Sequence, residues 1–170
     1  MIDVNTIEGR RNAGGLKFAI IASRFNDVVV EQLIESAVSF LIQRGAHKDD
    51  ITLFRVPGAF EISQLANVLG KSEKYNGLIC LGAVIRGATF HFEILARDVI
   101  MSLSNISARY NIPIGFGVLT TDTLEQALER AGGREENNKG AEAAAACLAM
   151  ATLLEQIDDK RDIDNATTQQ

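Results

Sequence analysis

Residues 18–22 read FAIIA, and the fold of the whole chain can be worked out from this run and the segment 26–45 behind it. Five consecutive apolar residues are typical of a β-strand covered on both faces. Behind them, apolar side chains recur at the spacing of one helix face, and Asn26 or Asp27 can cap that helix. Gly45 suits its C-terminal end. A buried strand followed by an amphipathic helix is the repeating unit of a parallel α/β sheet.

The same alternation continues along the chain. Further strands are predicted at Ile51–Val56, Leu78–Val84 and Ile112–Leu119, and further helices at about Ala59–Leu69, Thr89–Arg109, Leu124–Arg130 and Ala141–Ile157. Alternating strands and helices favour a parallel sheet with right-handed crossovers and helices on both faces. The predicted fold class is therefore α/β, a three-layer α/β/α sandwich around a four-stranded parallel sheet.

The two ends of the chain depart from this pattern. Residues 1–15 hold the short apolar stretch Ile2–Ile7 and then a polar, glycine-rich connector. That stretch is either a strand added to a neighbouring subunit's sheet or a frayed terminus. Residues 158–170 have one apolar side chain larger than alanine, so a disordered tail is predicted there. The expected domain spans residues 16–157.

Composition narrows the class of protein. A chain of 170 residues is expected to form one domain, and 46% hydrophobic with 23% charged residues is typical of a globular protein. A net charge of −5 argues against a general nucleic-acid binder. Two cysteines are too few for a disulfide scaffold. The longest apolar run, 143–151, is too short to span a membrane, and residues 1–11 lack a signal-peptide core, so a cytoplasmic protein is expected.

Candidate binding residues lie where the predicted strands end. In an open parallel sheet, ligands bind beyond the carboxyl ends of the strands. Four segments occupy that position: 23–26, 57–61, 85–91 and 119–122. Phe25 and Phe60 can stack on a flat heterocycle there, or they can simply pack in the core. Glu61 can accept hydrogen bonds from ligand hydroxyls, or it can only complement the dipole of the helix that it opens.

The turn Gly87-Ala88-Thr89 precedes a long predicted helix. Free backbone N–H groups at a helix N-terminus bind anions, phosphate above all, although Thr89 can equally be a plain N-cap. His91 follows and can give or take a proton near neutral pH, or it can be a surface histidine without a role. Arg130 ends a short predicted helix, where it complements the dipole or pairs with a phosphate.

Several common sites are absent from the sequence. Gly115-Phe116-Gly117 lacks the third glycine of a dinucleotide-binding fingerprint, and neither a GxxxxGK[ST] loop nor a GxSxG nucleophile elbow occurs. The two histidines and two cysteines do not show the spacing of metal ligands. No metal site is therefore expected.

Six motifs occur in the order in which one known family carries them. They are Ser23–Asn26 (SRFN), Val56–Glu61 (VPGAFE), Gly82–Thr89 with His91 (GAVIRGAT…H), Gly115–Thr121, Gln126–Gly132 and Asn138–Gly140. With these motifs, over about residues 16–157, the sequence resembles the lumazine synthases of riboflavin biosynthesis. The resemblance implies a flavodoxin-like fold and an enzyme that needs no metal or organic cofactor. The implied reaction condenses 5-amino-6-(D-ribitylamino)uracil with 3,4-dihydroxy-2-butanone 4-phosphate. Its products are 6,7-dimethyl-8-ribityllumazine, phosphate and water.

The resemblance also implies roles for single residues. His91 would be the proton donor, and Phe25 would stack on the pyrimidine ring. Ala88 and Thr89 would hold the phosphate group. The ribityl chain and the pyrimidine edge would be bound by two groups of residues at strand ends, namely Ala59, Phe60 and Glu61, and the backbone of Ala83, Val84 and Ile85.

Three further residues are implied to act from another subunit or near it. In the family, Phe116 contacts the pyrimidine and Arg130 the phosphate in the neighbouring subunit's site, while Lys139 matches a position near the phosphate. Shared sites imply a homo-oligomer, which in this family is a pentamer and in some members an icosahedral shell of twelve pentamers. The turn at 132–138 is one residue longer than in shell-forming members, so a free pentamer is predicted.

Other interpretations stay open on the sequence alone. A non-catalytic lumazine- or flavin-binding protein on the same fold is the first, although it would not need His91 or Arg130. An unrelated flavodoxin-like module is the second, although it would carry a Ser/Thr-rich loop where this chain has residues 23–26. An added structural role as a shell protein is the third.

Overall fold

Four parallel strands form the central sheet: β1 (Phe18–Ser23), β2 (Ile51–Val56), β3 (Gly77–Ile85) and β4 (Ile114–Thr121). In the computed structural model they lie in the order β2-β1-β3-β4. The structure describes the backbone of residues 4–132 and 138–168, and the side chains within those ranges up to Asp158. The predicted four-stranded parallel sheet is confirmed.

Five helices cover the sheet: α1 (Asp27–Gln43), α2 (Ala59–Ser72), α3 (His91–Tyr110), α4 (Leu124–Ala131) and α5 (Lys139–Thr168), with a short 3₁₀ turn at Lys48–Asp50. One hydrophobic cluster joins the sheet to α1, α4 and α5, and a second joins it to α2 and α3. The architecture is a three-layer sandwich of the flavodoxin-like type, as predicted. None of the helices in the described ranges is both long and apolar enough to cross a membrane.

The continuous apolar runs in the central strands follow from this double cover. Every residue of β1 is buried. Side chains of a strand point alternately to its two faces, so Phe18 and Ile20 belong to the cluster under α1 and α5. Ala19 and Ile21 belong to the cluster under α2 and α3. Both faces of β1 must therefore be apolar.

Two elements begin later than the sequence predicts. β4 starts at Ile114 and not at Ile112, because Pro113 between them has no N–H to donate to a strand ladder. α3 starts at His91 and not at Thr89, and Phe90 occupies its N-cap position without a side-chain hydrogen bond. The prediction that the helix begins at Thr89 is therefore wrong, and Thr89 is not its cap.

The chain ends and one turn bear on further predictions. The backbone of 158–168 continues α5, where the sequence predicts a disordered tail, because extending an existing helix is much less costly than starting one. Residues 4–10 do not form a β-strand in the structure, which contains one copy of the chain. The residues 133–137 of the longer turn lie outside the described ranges. The division into 1–15, 16–157 and 158–170 stays a prediction.

Close packing of β4 against α5 depends on glycine. A Cβ atom at Gly115 would overlap the backbone carbonyl of Ala143. The facing stretch of α5 carries only small side chains, Ala143, Ala144 and Cys147, all buried. Burial in this apolar layer raises the pKa of the Cys147 thiol to about 12. Helix and strand can therefore approach more closely than ordinary side chains would allow.

Three loops at the carboxyl end of the sheet are tied together by hydrogen bonds. Arg24 N–H donates to the Val56 carbonyl (2.8 Å), and Phe25 N–H to the Pro57 carbonyl (3.2 Å). The Asn26 side-chain amide donates to the Ala83 carbonyl of β3 (2.8 Å). Asn26 does so from a left-handed backbone conformation (φ 59°), and its side chain does not cap α1. The loops after β2, β1 and β3 therefore form one connected rim.

Replacing Gly115 by alanine should destabilise the protein. The new methyl group must displace the α5 backbone, and overpacking of this kind typically costs about 1–3 kcal/mol. Gly87→Ala is the matched control, since a Cβ at Gly87 meets no atom within 4 Å. Urea unfolding of both variants measures the difference in the free energy of unfolding. Equal stability of the two would contradict the packing argument.

Asn26→Ala should destabilise the protein more than Asn26→Gly does. Both variants lose the hydrogen bond to Ala83, but alanine also has to occupy the left-handed region, at a cost of about 1–2 kcal/mol. Thermal unfolding should therefore rank wild type above the glycine variant and the glycine variant above the alanine variant. A glycine variant that is the least stable of the three would show that backbone conformation at Asn26 is not the limiting factor.

Candidate active site

A step in the sheet creates the site. The last pairing of β3 with β1 joins Leu81 to Ala22, but the pairing of β3 with β4 continues to Ile85 and Thr121. Residues 82–85 of β3 therefore stand above the end of β1, with one backbone edge facing no strand of the described sheet. The chain adds β2 on one side of β1 and then crosses over to add β3 on the other side. Ligands bind at this switch point between β1 and β3 in doubly wound folds.

A cavity of about 400 Å³ lies above this step. Nine of the residues singled out from the sequence line it: Phe25, Ala59, Phe60, Glu61, Ala83, Val84, Ile85, Thr89 and His91. Gly58, Gly87, Phe92 and Leu95 complete the wall. The structure thus brings together the ends of β1, β2 and β3 and the start of α3, as expected for parallel strands, whereas the fourth predicted segment, 119–122, does not line the cavity.

The two loop aromatics are available to a ligand. Phe25 is 71% exposed and Phe60 is 61% exposed, so neither is a core residue. Both border the same cavity. Exposed rings at a cavity rim can stack on a flat heterocycle, and covering them with a ligand would remove apolar surface from water. Of the two interpretations left open by the sequence, packing in the core is excluded for both residues.

Glu61 has a local structural role as well. Its Oε2 accepts a hydrogen bond from the Gly58 N–H (2.9 Å), which completes a capping arrangement at the start of α2. This contact fixes the carboxylate at the cavity wall. None of the described residues donates to the other oxygen, Oε1. A ligand hydroxyl can therefore donate to an acceptor that is already held in place.

The loop between β3 and α3 borders the cavity through Gly87 and Thr89. Residues 86–90 have no regular structure, and Ala88 and Thr89 are exposed. α3 is 20 residues long, and its N-cap residue Phe90 makes no capping hydrogen bond. The first N–H groups of a helix carry partial positive charge and accept an anion readily. His91, the first residue of α3, lies on the same wall.

Arg86, at the start of this loop, is the centre of an ion cluster with Asp122 and Glu93. Arg86 Nε donates to Asp122 Oδ1 (2.6 Å), a second guanidinium nitrogen pairs with Glu93, and Cζ lies 4.4 Å from the centre of the Phe92 ring. The Asp122 and Glu93 carboxylates raise the pKa of Arg86 above its usual range. The pKa of the Glu93 carboxylate is lowered, most of all by a hydrogen bond from its own backbone N–H and next by the hydrogen bond from Arg86.

Sequence reasoning gave these cluster residues no role. Arg86 appears there only within a motif and Asp122 only within a strand-end segment, and Glu93 and Phe92 are not named. No spacing rule links Arg86 to Asp122, because the two lie in different loops and meet only through the pairing of β3 with β4. The i, i+3 spacing of Phe92 and Leu95 was the one available signal that they share a wall.

Four predicted site residues do not line this cavity: Ala88, which lies in the loop between the lining residues Gly87 and Thr89, and Phe116, Arg130 and Lys139. Arg130 Nη1 donates to the Gln126 carbonyl (3.2 Å), and Lys139 Nζ pairs with Glu142 (2.6 Å). Phe116 lines a separate, larger groove of about 640 Å³ between α3, β4 and α5. That groove holds no other predicted site residue, so the smaller cavity is the better candidate. Roles for Phe116, Arg130 and Lys139 in a shared site stay predictions.

Comparison with known proteins agrees with this geometry. Residues 15–155 match the family model described as 6,7-dimethyl-8-ribityllumazine synthase. A protein of that name from Nitratidesulfovibrio vulgaris (strain Miyazaki F) is 52% identical over 157 residues, 92% of this chain and 100% of the relative. One from Syntrophus aciditrophicus is 49% identical over 88% of this chain and 97% of its own length. One from Chlorobaculum tepidum is 43% identical over 92% and 100%. The chain belongs to the 6,7-dimethyl-8-ribityllumazine synthase family.

Proposed function

We propose that the protein condenses 5-amino-6-(D-ribitylamino)uracil with 3,4-dihydroxy-2-butanone 4-phosphate to form 6,7-dimethyl-8-ribityllumazine. The observation that carries the proposal is that one cavity unites an exposed aromatic rim, a helix N-terminus and a histidine. These parts fit a flat ring, a phosphate and a proton donor. Family membership supports the same reaction. It is a transferase reaction of riboflavin biosynthesis.

The two substrates are assigned to different walls of the cavity. The pyrimidine ring stacks on Phe25, and its polar edge meets the backbone of residues 83–85, which has no strand beside it on that side. The ribityl chain follows the start of α2, where Glu61 Oε1 accepts from a hydroxyl. The phosphate of the second substrate lies against the N–H groups at Ala88 and Thr89. This arrangement places the reacting carbons near His91.

The proposed reaction depends mainly on proton transfers and does not need a strong catalytic group. The ring amine attacks the ketone and water leaves, which forms an imine. Elimination of phosphate gives an enol, which tautomerises to a ketone. The second nitrogen attacks that carbonyl, and loss of a second water closes the ring. His91 donates protons to the leaving groups, and the remaining acceleration comes from holding two substrates together.

The site is completed, in this proposal, by a second copy of the chain in a cytoplasmic homopentamer. Phe116 is 42% exposed on a central layer of the fold, and the groove around it also carries the half-exposed Ile100 and Met150. Apolar side chains of this kind at a groove mark a protein interface. When a neighbouring subunit packs against this groove, Phe116 lies at the cavity of that neighbour. Arg130, in α4, reaches the phosphate bound in the same neighbouring cavity.

His91→Ala should slow product formation about 10²–10⁴-fold without abolishing it, because general acid catalysis is only part of the acceleration. Both substrates are mixed with the protein near pH 7, and the fluorescent lumazine is followed. His47→Ala is the matched control, since His47 is exposed beside the 3₁₀ turn, away from the cavity. Complete loss of activity in His91→Ala with both substrates still bound would make proximity the lesser contribution. Binding of a ribityl heterocycle by the wild type without turnover would favour a carrier.

Arg130→Ala should raise KM for the phosphate substrate and leave KM for the pyrimidine nearly unchanged, whereas Arg44→Ala should change neither.

If sites are shared, mixing His91→Ala with Arg130→Ala subunits after unfolding restores about one quarter of the sites, because each interface needs one intact copy of each residue. Activity of the refolded 1:1 mixture measures this. A mixture no more active than the average of its parents would contradict shared sites.

A further inference from the structure

We propose that Arg86 is a positioning residue, whose guanidinium, held by Asp122 and Glu93, keeps the Gly87–Phe90 loop in the conformation that receives phosphate. The inference rests on the proposed function, which assigns this loop to the phosphate of the second substrate. Arg86 itself is not assigned as a phosphate ligand.

The backbone of Arg86 is fixed at the root of the loop. Its N–H donates to the Thr121 carbonyl (2.9 Å), directly after the last pairing of β3 with β4, which joins Ile85 to Thr121. The loop therefore leaves the sheet from an anchored residue. Movement of the loop has to occur beyond this point, in residues 87–90.

The side chain of Arg86 then reaches past the loop to its far end. The guanidinium pairs with Glu93 in the first turn of α3 and lies over the ring of Phe92. Phe92 also packs against the core under α2 and α3. One residue thus fixes both ends of the Gly87–Phe90 loop, and with them the orientation of the first turn of α3, where His91 lies.

Asp122 is itself held in place, so it provides a firm second support. Its backbone N–H donates to Gln126 Oε1 (2.9 Å), and the Gln126 backbone N–H donates to the hydroxyl of Thr123, the N-cap of α4. The Arg86–Asp122 pair therefore connects the loop to the capped start of another helix. A single exposed carboxylate on a free loop would not give this support.

The loop has few other restraints. All of residues 87–90 are exposed, a Cβ at Gly87 would meet nothing within 4 Å, and Phe90 does not cap α3. Half-exposed ion pairs of this kind add little to global stability. Two carboxylates on one guanidinium also leave the cluster with a net charge of −1, so it does not attract an anion by its charge. What the cluster supplies is preorganisation of the donors.

The test compares Arg86→Gln, Asp122→Asn and Glu93→Gln with Arg97→Gln, a variant of an exposed arginine further along α3. Inorganic phosphate is the probe, titrated by calorimetry into the full-length protein. Each of the first three variants should weaken phosphate binding by roughly tenfold through lost preorganisation, and Arg97→Gln should not. Amide hydrogen exchange of residues 87–92 should become faster in the same three.

The two carboxylate variants separate positioning from direct binding. If Arg86 bound phosphate itself, freeing it from Asp122 or Glu93 would tighten phosphate binding, which is the opposite sign. Tighter binding in either variant would therefore overturn the proposal. So would an Arg86→Gln variant with unchanged phosphate binding and unchanged exchange of the loop. Wild-type protein that binds no phosphate would overturn it as well.

A steady-state measurement separates positioning from general weakening of the fold. Arg86→Gln should raise KM for the phosphate substrate and leave KM for the pyrimidine substrate unchanged, whereas a merely structural defect raises both. Failure of the proposed function has a different signature. In that case the wild type binds phosphate but forms no lumazine, and the order of phosphate affinities among the variants still decides whether Arg86 positions the loop.

Discussion

The pairing of β3 with β4 beyond the end of β1 is the constraint on which the rest of the site depends. Because the pairing continues to Ile85 and Thr121, residues 82–85 of β3 extend beyond the end of β1, and the cavity lies against them. The same pairing brings the loop that follows β3 beside the loop that follows β4. Arg86 and Asp122 can meet only for this reason.

Polar contacts fix the exposed loops around the cavity, in addition to the buried apolar residues of its wall. The Asn26 amide holds the β1 loop to Ala83, Glu61 holds the turn before α2, and Arg86 spans the loop before α3. Ala83 and Val84 at the base of the cavity are buried, whereas the loops at the rim remain exposed so that ligands can enter. Polar ties that each contribute about 0.5–1.5 kcal/mol can still fix geometry there.

Much of the architecture was predictable because the core imposes simple patterns. Phe18–Ala22 and Leu78–Val84 are continuous apolar runs since helices cover both of their faces, and strand-end loops converge in any parallel sheet. The starts of β4 and α3 were misplaced by two residues. Apolar character extends into Ile112, and a threonine such as Thr89 resembles an N-cap whether or not it caps.

The sequence by itself determined the fold class, the family and three of the loops that line the cavity, because these follow from local pattern and from residue types at fixed spacing. Only the tertiary structure decided which residues share one cavity, that Phe25 and Phe60 are exposed, and that Ala88, Phe116, Arg130 and Lys139 do not line it. It also decided the Arg86 cluster. Contacts between distant loops depend on strand register and strand length, and neither quantity is encoded in the spacing of residues along one segment.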